Sequence, residues 1–327
     1  MSARTVRVLT AGDVRSLMPF PRAIEAARAA FVALHHGTAT TAAPIGLRIE
    51  PAGGEVHVKA GHNRAADTYA VKVASAFPGN AQQALSVIGG MTVVFDARSG
   101  APTTLMLDDG LLTDLRTAAA GAVATDALAA AGATEVAVLG TGQQARLQVE
   151  ALTYLRSITH VTVWGRRPEA AQRCASDIAA RTGLPTSVAQ GAHDAVRQAN
   201  IVITATAATE PILDASLARP GLHITAVGSD LPDKAELDPA LVAGADRYVP
   251  DSPAQCLDHG ELRLAAAAGL VKPDDITVDL PALLADPSPR DPEAFTIADL
   301  TGLGALDAEI AHVCATEAAR QGAGRLT

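Results

Sequence analysis

The sequence predicts an α/β protein: a Rossmann-type doubly wound parallel sheet joined to an α+β domain. Three observations carry this reading. Residues 135–249 alternate short apolar runs with helix-forming segments, the pattern of a parallel sheet covered on both faces. A Gly-x-Gly turn, Gly140-Thr141-Gly142, stands between the first of those runs and a helix. The residues before it instead show several extended runs broken by Gly, Asn and Pro turns, with one amphipathic helix, which is an antiparallel α+β pattern.

Taken in order, residues 21–35 form the amphipathic helix, and 43–50, 55–60, 69–76 and 91–96 read as strands. Arg116 opens a helix of small residues. Residues 129–134 are small and suit a hinge. Beyond them, strands are expected at 135–139, 161–164, 201–205 and 222–227, with helices near 143–155, 168–181 and 191–198. Residues 279–293, rich in Pro and Asp, read as a surface loop, and 305–320 is helical again. The expected domains are 1–128, with 305–327 returning to it, and 129–304.

Composition narrows the class. The chain has 327 residues, enough for about two domains with buried cores. It is 48% hydrophobic and 19% charged, a globular balance. A net charge of −9 argues against nucleic acid or an anionic membrane as partner. No apolar run approaches the roughly 18 residues needed to span a bilayer, and the N-terminus lacks the charged-then-apolar order of a signal peptide. Cys174, Cys256 and Cys314 are few, far apart and without ligand spacing, so free thiols in a reducing cytoplasm are expected, and no metal.

The glycine turn points to a dinucleotide. Its first glycine permits the turn, its second lets the backbone approach a pyrophosphate, and the amides at the helix start face the anion. Ala145 takes the third fingerprint position, and Gln143 and Gln144 open the helix. An NAD site ordinarily has an acid at the end of the second strand, on the adenosine ribose. Here that strand ends in Gly165-Arg166-Arg167. Two guanidinium groups suit a 2′-phosphate, so NADP(H) is the expected coenzyme, with NAD(H) as the alternative. The competing reading makes one arginine a solvated loop residue.

Arg48, Lys59, Lys72 and Arg116 lie in or beside the strands and helix of the first domain. Lys72, flanked by apolar residues, either snorkels at a sheet edge or faces a polar pocket. Arg116 either faces a pocket or makes a helix-surface ion pair. Asp230, before Pro232, is a helix N-cap by its local sequence alone.

Residues 112–119, Leu-Thr-Asp-Leu-Arg-Thr-Ala-Ala, resemble the L-T-x-x-R-T-A-A signature of the ornithine cyclodeaminase/μ-crystallin family. The 77–80 run Phe-Pro-Gly-Asn, Phe95-Asp96 and the 140–145 turn are similar to that family too. So are Val227-Gly228-Ser229-Asp230 with Lys234, Glu236 and Leu237, and Asp299-Leu300-Thr301-Gly302 with Asp307. The resemblance implies a homodimer in which the first domain dimerises and binds substrate. It implies substrate-side roles for Arg48, Lys72, Arg116 and Thr301, and a catalytic role for Asp230. It places Gln143, Gln144, Thr206, Val227, Gly228 and Lys234 on the coenzyme, with Gly140, Thr141 and Gly142. Departures are as informative: a Met-Pro pair is missing, and Lys59 stands near an acid of the cyclodeaminases. The 57–61 run His-Val-Lys-Ala-Gly and residues 107–110 are most similar to the ectoine-utilisation branch.

An ammonium about 4 Å from Lys59 would meet roughly 4 kcal/mol of repulsion at an effective dielectric of about 20. That disfavours a diamino acid such as ornithine. The expected activity is therefore reduction of the C=N bond of a small α-imino acid or cyclic ketimine carboxylate, or the reverse oxidation. Arg48 and Arg116 clamp the carboxylate, Lys59 adds to the substrate side, and Lys72 and Asp230 are the catalytic groups. An ammonia-releasing cyclodeaminase with bound NAD, and a non-catalytic NADPH-binding protein, are the alternatives. His57 and His62 lack metal spacing and stand beside Lys59, where a second acidic group of a substrate would find them.

Overall fold

The computed structural model describes residues 5–83 and 85–327. It comprises two compact units, Met1–Arg116 with Leu303–Thr327, and Thr117–Gly302.

In the first unit, strands β1 (Arg7–Thr10), β2 (Ala39–Thr41), β3 (Ile45–Ile49), β4 (Gly54–Asn63), β5 (Thr68–Ala76), β6 (Ile88–Asp96), β7 (Pro102–Leu107) and the C-terminal β15 (Arg325–Leu326) form one sheet. Its order is β15-β1-β7-β6-β5-β4-β2, with β3 also on β4. All pairings are antiparallel except β1 with β7. Helices α1 (Ala11–Leu17), α2 (Phe20–His35) and α11 (Gly304–Gln321) belong to this unit. The two-residue period of the strands sends Asn63, Ala70, Lys72, Thr92, Val94 and Met106 to one face, where all are buried. There α11 packs so closely that a Cβ on Gly61 would strike the Gly304 carbonyl. The opposite face carries Ile45, Leu47, Met91 and Leu107, all exposed.

In the second unit, seven parallel strands lie in the order β10-β9-β8-β11-β12-β14-β13. They are β8 (Glu135–Leu139), β9 (His160–Trp164), β10 (Thr186–Val188), β11 (Ile201–Thr204), β12 (His223–Ala226), β13 (Arg247–Pro250) and β14 (Thr296–Asp299). The order in which successive strands are added to the sheet reverses between β8 and β11, the switch point where nucleotides bind such sheets. Helices α4 (Gln143–Leu152), α5 (Pro168–Thr182), α6 (Ala192–Arg197), α7 (Pro239–Ala243), α8 (Pro253–His259), α9 (Leu262–Ala267) and α10 (Leu280–Ala285) are all in this unit. A core of Val202, Ile224, Leu237, Leu241 and Ile297 is sealed from water.

Helix α3 (Leu111–Leu128) begins in the first unit, and its residues from Thr117 belong to the second. There the Gln148 amide donates to the Thr117 carbonyl at 3.1 Å, and Thr125 and Thr225 share a hydrogen bond. The change of unit thus falls inside a continuous helix, ahead of the small-residue stretch 129–134.

The segment 279–293 is corrected in part. Its first half is helix α10, capped by the Asp279 side chain on the Ala282 N–H, with Leu280, Leu283 and Leu284 buried. The prolines that suggested a loop include Pro281, which sits in the first turn, where its missing N–H costs nothing. Only the part after α10 is an exposed loop. Among the described residues, no helix is long and apolar enough to cross a membrane.

Candidate functional site

The glycine turn of the second unit is shaped by close approach. Gly140 has φ +126°, and a Cβ there would collide with the Ala205 carbonyl. Gly142 is the N-cap of α4 and provides no side-chain cap, so no side chain at that position competes for the helix's first amides. The Arg146 guanidinium donates to the Thr141 and Gly142 carbonyls at 2.7 and 2.9 Å and pairs with Asp177 at 2.8 Å. It ties down the loop's carbonyl oxygens, and its positive charge stands one turn into the helix. Gln143 and Gln144 open α4, and Ala145 is fully buried. Gly165, after β9, has no room for a Cβ against the Thr141 methyl. Arg166 and Arg167 follow it and are exposed.

Behind the ends of β11 and β12 lies a carboxylate that sequence reasoning passed over except as a motif letter. Glu236 is wholly buried and accepts four hydrogen bonds. They come from the Thr204 hydroxyl (2.6 Å), the Thr206 N–H and hydroxyl (both 2.7 Å) and the Gly228 N–H (2.8 Å). A Cβ on Gly228 would overlap that carboxylate. Burial raises the Glu236 carboxyl above its ordinary range, against the pull of those hydrogen bonds. Glu261 in turn accepts the N–H groups of Glu236 and Leu237. Thr206, Val227 and Gly228, three expected coenzyme positions, are thus joined: Val227 donates its N–H to Thr204, and the others bind Glu236.

Lys234 pairs with Asp230 at 2.7 Å, and the Asp230 side chain is half exposed. Thr301 is buried. Its N–H and hydroxyl donate to Asp251 at 3.0 and 2.8 Å, and it accepts from the Gln255 amide.

The first unit brings together three of the four expected cations. Lys72, 4% exposed, donates to Asp307 Oδ1 at 2.8 Å, and Arg116 Nε lies 3.0 Å from the same oxygen. Arg116 reaches this place because the Asp108 carboxylate accepts the Leu112 N–H at 2.6 Å and starts α3 there. Lys59 is directly opposite Lys72 in the β4–β5 register. Burial drives the Lys72 ammonium down to about 7; Asp307 opposes this, and Arg116 and Lys59 add to it. Burial would raise the Asp307 carboxyl, but Arg116, Lys72 and Lys59 together hold it below the usual range. The surrounding cations outweigh burial at Asp307, whereas burial outweighs Asp307 at Lys72. Arg48 lies apart along the sheet, exposed on β3 and opposite Glu55. Asp307 is the member that sequence reasoning named without a role.

Comparison with known proteins identifies the family. The sequence pattern of the ornithine cyclodeaminase/mu-crystallin family matches residues 4–322. An uncharacterized cyclodeaminase of Sinorhizobium fredii is 38% identical over 326 residues, covering 98% of each chain. The Delta(1)-pyrroline-2-carboxylate reductase of Thermococcus litoralis, solved with NADH and L-proline, is 27% identical. It superposes with a TM-score of 0.92 over 98% of this chain and 99% of that one. An archaeal alanine dehydrogenase dimer with bound NAD, also 27% identical, gives 0.90 over 99% of each. With its glycine turn, its buried Lys72–Asp307–Arg116 cluster and a match over nearly its whole length, this chain belongs to the ornithine cyclodeaminase/mu-crystallin family.

Proposed function

We propose that this protein is an NADP(H)-dependent oxidoreductase that reduces the C=N bond of a small α-imino acid or cyclic ketimine carboxylate, or catalyses the reverse oxidation. The observation that carries this reading is the Lys72–Asp307–Arg116 cluster, in which a single carboxylate faces an excess of buried positive charge. A substrate carboxylate is the natural counter-ion for that excess. Relatives that bind NADH with L-proline or NAD support a nicotinamide coenzyme and an amino- or imino-acid substrate. The glycine turn fits such a coenzyme, since Gly140 and Gly142 put no side chain at their positions beside the start of α4.

When bound, the reduced nicotinamide supplies a hydride to the imine carbon. The residues of the chain do the rest. Arg116 and Lys72 hold the substrate carboxylate and orient the C=N bond, and Lys59 and Arg48 add positive charge on the same sheet face. Asp230 holds or relays the proton that the nitrogen gains, its charge balanced by Lys234. Glu236 fixes the Thr206 and Gly228 backbone beside the coenzyme. Thr301 acts on the substrate side through the Asp251 network that orients it.

Arg166 and Arg167 carry the phosphate preference. They are exposed at the end of the second Rossmann strand, where no acid stands. The three cysteines are free and buried, which suits a reducing cytoplasm. The apolar outer face of the first unit's sheet suits a second copy of the chain in a homodimer.

The test is oxidation of NADPH and NADH, followed by absorbance, with pyrroline carboxylates or with 2-oxo acids plus ammonia. Imine-dependent NADPH oxidation is expected. Ammonia release from ornithine with catalytic NAD would select the lyase, and coenzyme binding without turnover would select a binding protein. Arg166→Asp with Arg167→Ser should shift coenzyme preference towards NADH by one to two powers of ten. An unchanged preference would refute the phosphate assignment.

A further inference from the structure

We propose that Asp307 is a positioning residue for the reaction: without touching substrate, it holds Lys72 and Arg116 so that their remaining donors serve one carboxylate. The inference rests on the oxidoreductase reading above and names a residue on which that site depends.

Asp307 is itself firmly placed. It lies in the first turn of α11, where the positive end of an 18-residue helix favours a carboxylate. The sheet fixes that helix at several points. A Cβ on Gly304 would strike the Ala60 carbonyl, and the Gly304 N–H donates to the Thr41 hydroxyl at 2.8 Å. Further along, Glu309 accepts from the Asn63 amide, and Thr68 and His312 share a hydrogen bond at 3.3 Å. The Asp307 carboxylate, buried against the sheet, therefore has one place relative to β4 and β5.

From that place Asp307 joins two cations that come from different elements. Its Oδ1 lies 2.8 Å from Lys72 Nζ on β5 and 3.0 Å from Arg116 Nε on α3. It engages one nitrogen of each side chain. Among the described residues, the two terminal guanidinium nitrogens of Arg116 have no other partner, and the Lys72 ammonium keeps two of its three N–H bonds. A guanidinium edge beside an ammonium is the donor set that a carboxylate accepts best.

Asp307 also supplies the charge that lets these cations share a dry site, where each would otherwise repel the other. Lys72 faces Asp307 from α11, Arg116 from α3 and Lys59 from β4, while β6 places the neutral Thr92 opposite it. Of these groups only Asp307 favours the protonated ammonium. The other ionisable groups of α11 that meet the sheet, Glu309 and His312, are engaged with Asn63 and Thr68. With Asp307 neutralised, burial and two cations would act on Lys72 unopposed.

The probe is pyrrole-2-carboxylate, a planar acid with no imine to reduce. Its binding is followed by calorimetry from about pH 5 to about pH 9 in wild type, Asp307→Asn and Asp307→Glu, and NADPH oxidation with a pyrroline carboxylate is measured on the same proteins. Wild-type affinity should be level below about 7 and weaken above it, as the Lys72 ammonium is lost. Removal of an opposite charge in contact should lower that onset by about 1–3 pH units in Asp307→Asn. Asp307→Glu keeps the charge and should keep the onset. Its longer side chain displaces the held nitrogens, so kcat/KM for imine reduction should fall about tenfold or more. A wild-type onset in Asp307→Asn overturns the proposal, because a purely structural residue would lower Tm without moving it. So does a wild type that does not bind the probe. If Asp307→Asn does not fold, Asp307→Glu decides, and a wild-type kcat/KM there overturns the proposal. A shifted onset with no imine reduction by wild type overturns the oxidoreductase reading alone. Imine reduction with an unshifted onset overturns the positioning role alone.

Discussion

Lys72 is a cation kept where water cannot solvate it, and its proton affinity records the cost. Burial and the neighbouring Arg116 and Lys59 bring its ammonium to about 7, although Asp307 is 2.8 Å away. The sign of the pH effect follows. The folded-state value lies below the unfolded one of 10.5, so between about 7 and 10.5 the unfolded chain binds more protons. Over that window this group makes stability rise with pH. Ligand binding runs the other way: a bound carboxylate favours the protonated ammonium. Carboxylate affinity should therefore weaken by up to about tenfold per pH unit above about 7. Lys72→Met should flatten that slope and, at pH 6, weaken binding by roughly 10- to 100-fold, the equivalent of one charge-assisted hydrogen bond of about 1.5–3 kcal/mol. Calorimetry of succinate binding from pH 6 to 9 measures both, and an unchanged slope in the variant would exclude Lys72 as the titrating group. Lys72 and Arg116 stood out in the sequence because charge in an apolar or small-residue context is conspicuous. Asp307 did not, because it meets Lys72 across 235 positions of chain, and nothing local in a helix of small residues marks such a contact.

At the scale of elements, what is local is what could be read. The Gly140–Gly142 turn is legible because steric need falls on consecutive residues between a strand and a helix. Strands β10, β13 and β14 escaped notice because each has only three or four residues and, unlike the equally short β11 with its Ile-Val-Ile run, no continuous apolar stretch to mark it. The prolines of α10 misled because Pro favours both loops and first turns. Glu236 illustrates a different limit. Its four donors come from two strand ends and the turns that follow them, so its role exists only once β11 and β12 are paired. That arrangement makes it a positioning residue for the expected coenzyme loops. In Glu236→Gln one carboxylate oxygen becomes an NH2, which turns donors towards donors. Each buried group left without an acceptor costs about 1–3 kcal/mol. The expected result is a lowered Tm, with NADPH Kd raised about tenfold or more and succinate affinity changed much less. Protein fluorescence quenching by NADPH and calorimetry separate the two. Equal weakening of both ligands would indicate general loosening rather than loop positioning.

At the scale of the whole molecule, the strands of the first unit explain why a lysine can sit in an apolar run. In β5, Ala70 and Lys72 point to the buried face under α11, whereas Val71 and Val73 point to the other. Both faces are therefore mostly apolar, and one of them carries the cationic cluster. The second face is continued by Ile45 and Leu47 on β3, Met91 on β6 and Leu107 on β7, exposed by 64%, 58%, 41% and 48%. Contiguous apolar surface of this kind on a sheet marks an interface. In a two-fold homodimer every residue near the axis acts twice, so a single change is doubled. Burying a leucine contributes about 1.5–3 kcal/mol, and Leu47→Lys removes that on both subunits while placing two like charges in one apolar contact. The variant should sediment as a monomer at micromolar concentration, where the wild type is expected to sediment as a dimer. Gln172→Lys, exposed on α5 of the second unit, serves as the control and should remain dimeric. A monomeric wild type would refute the homodimer, and a dimeric Leu47→Lys would move the interface away from this face.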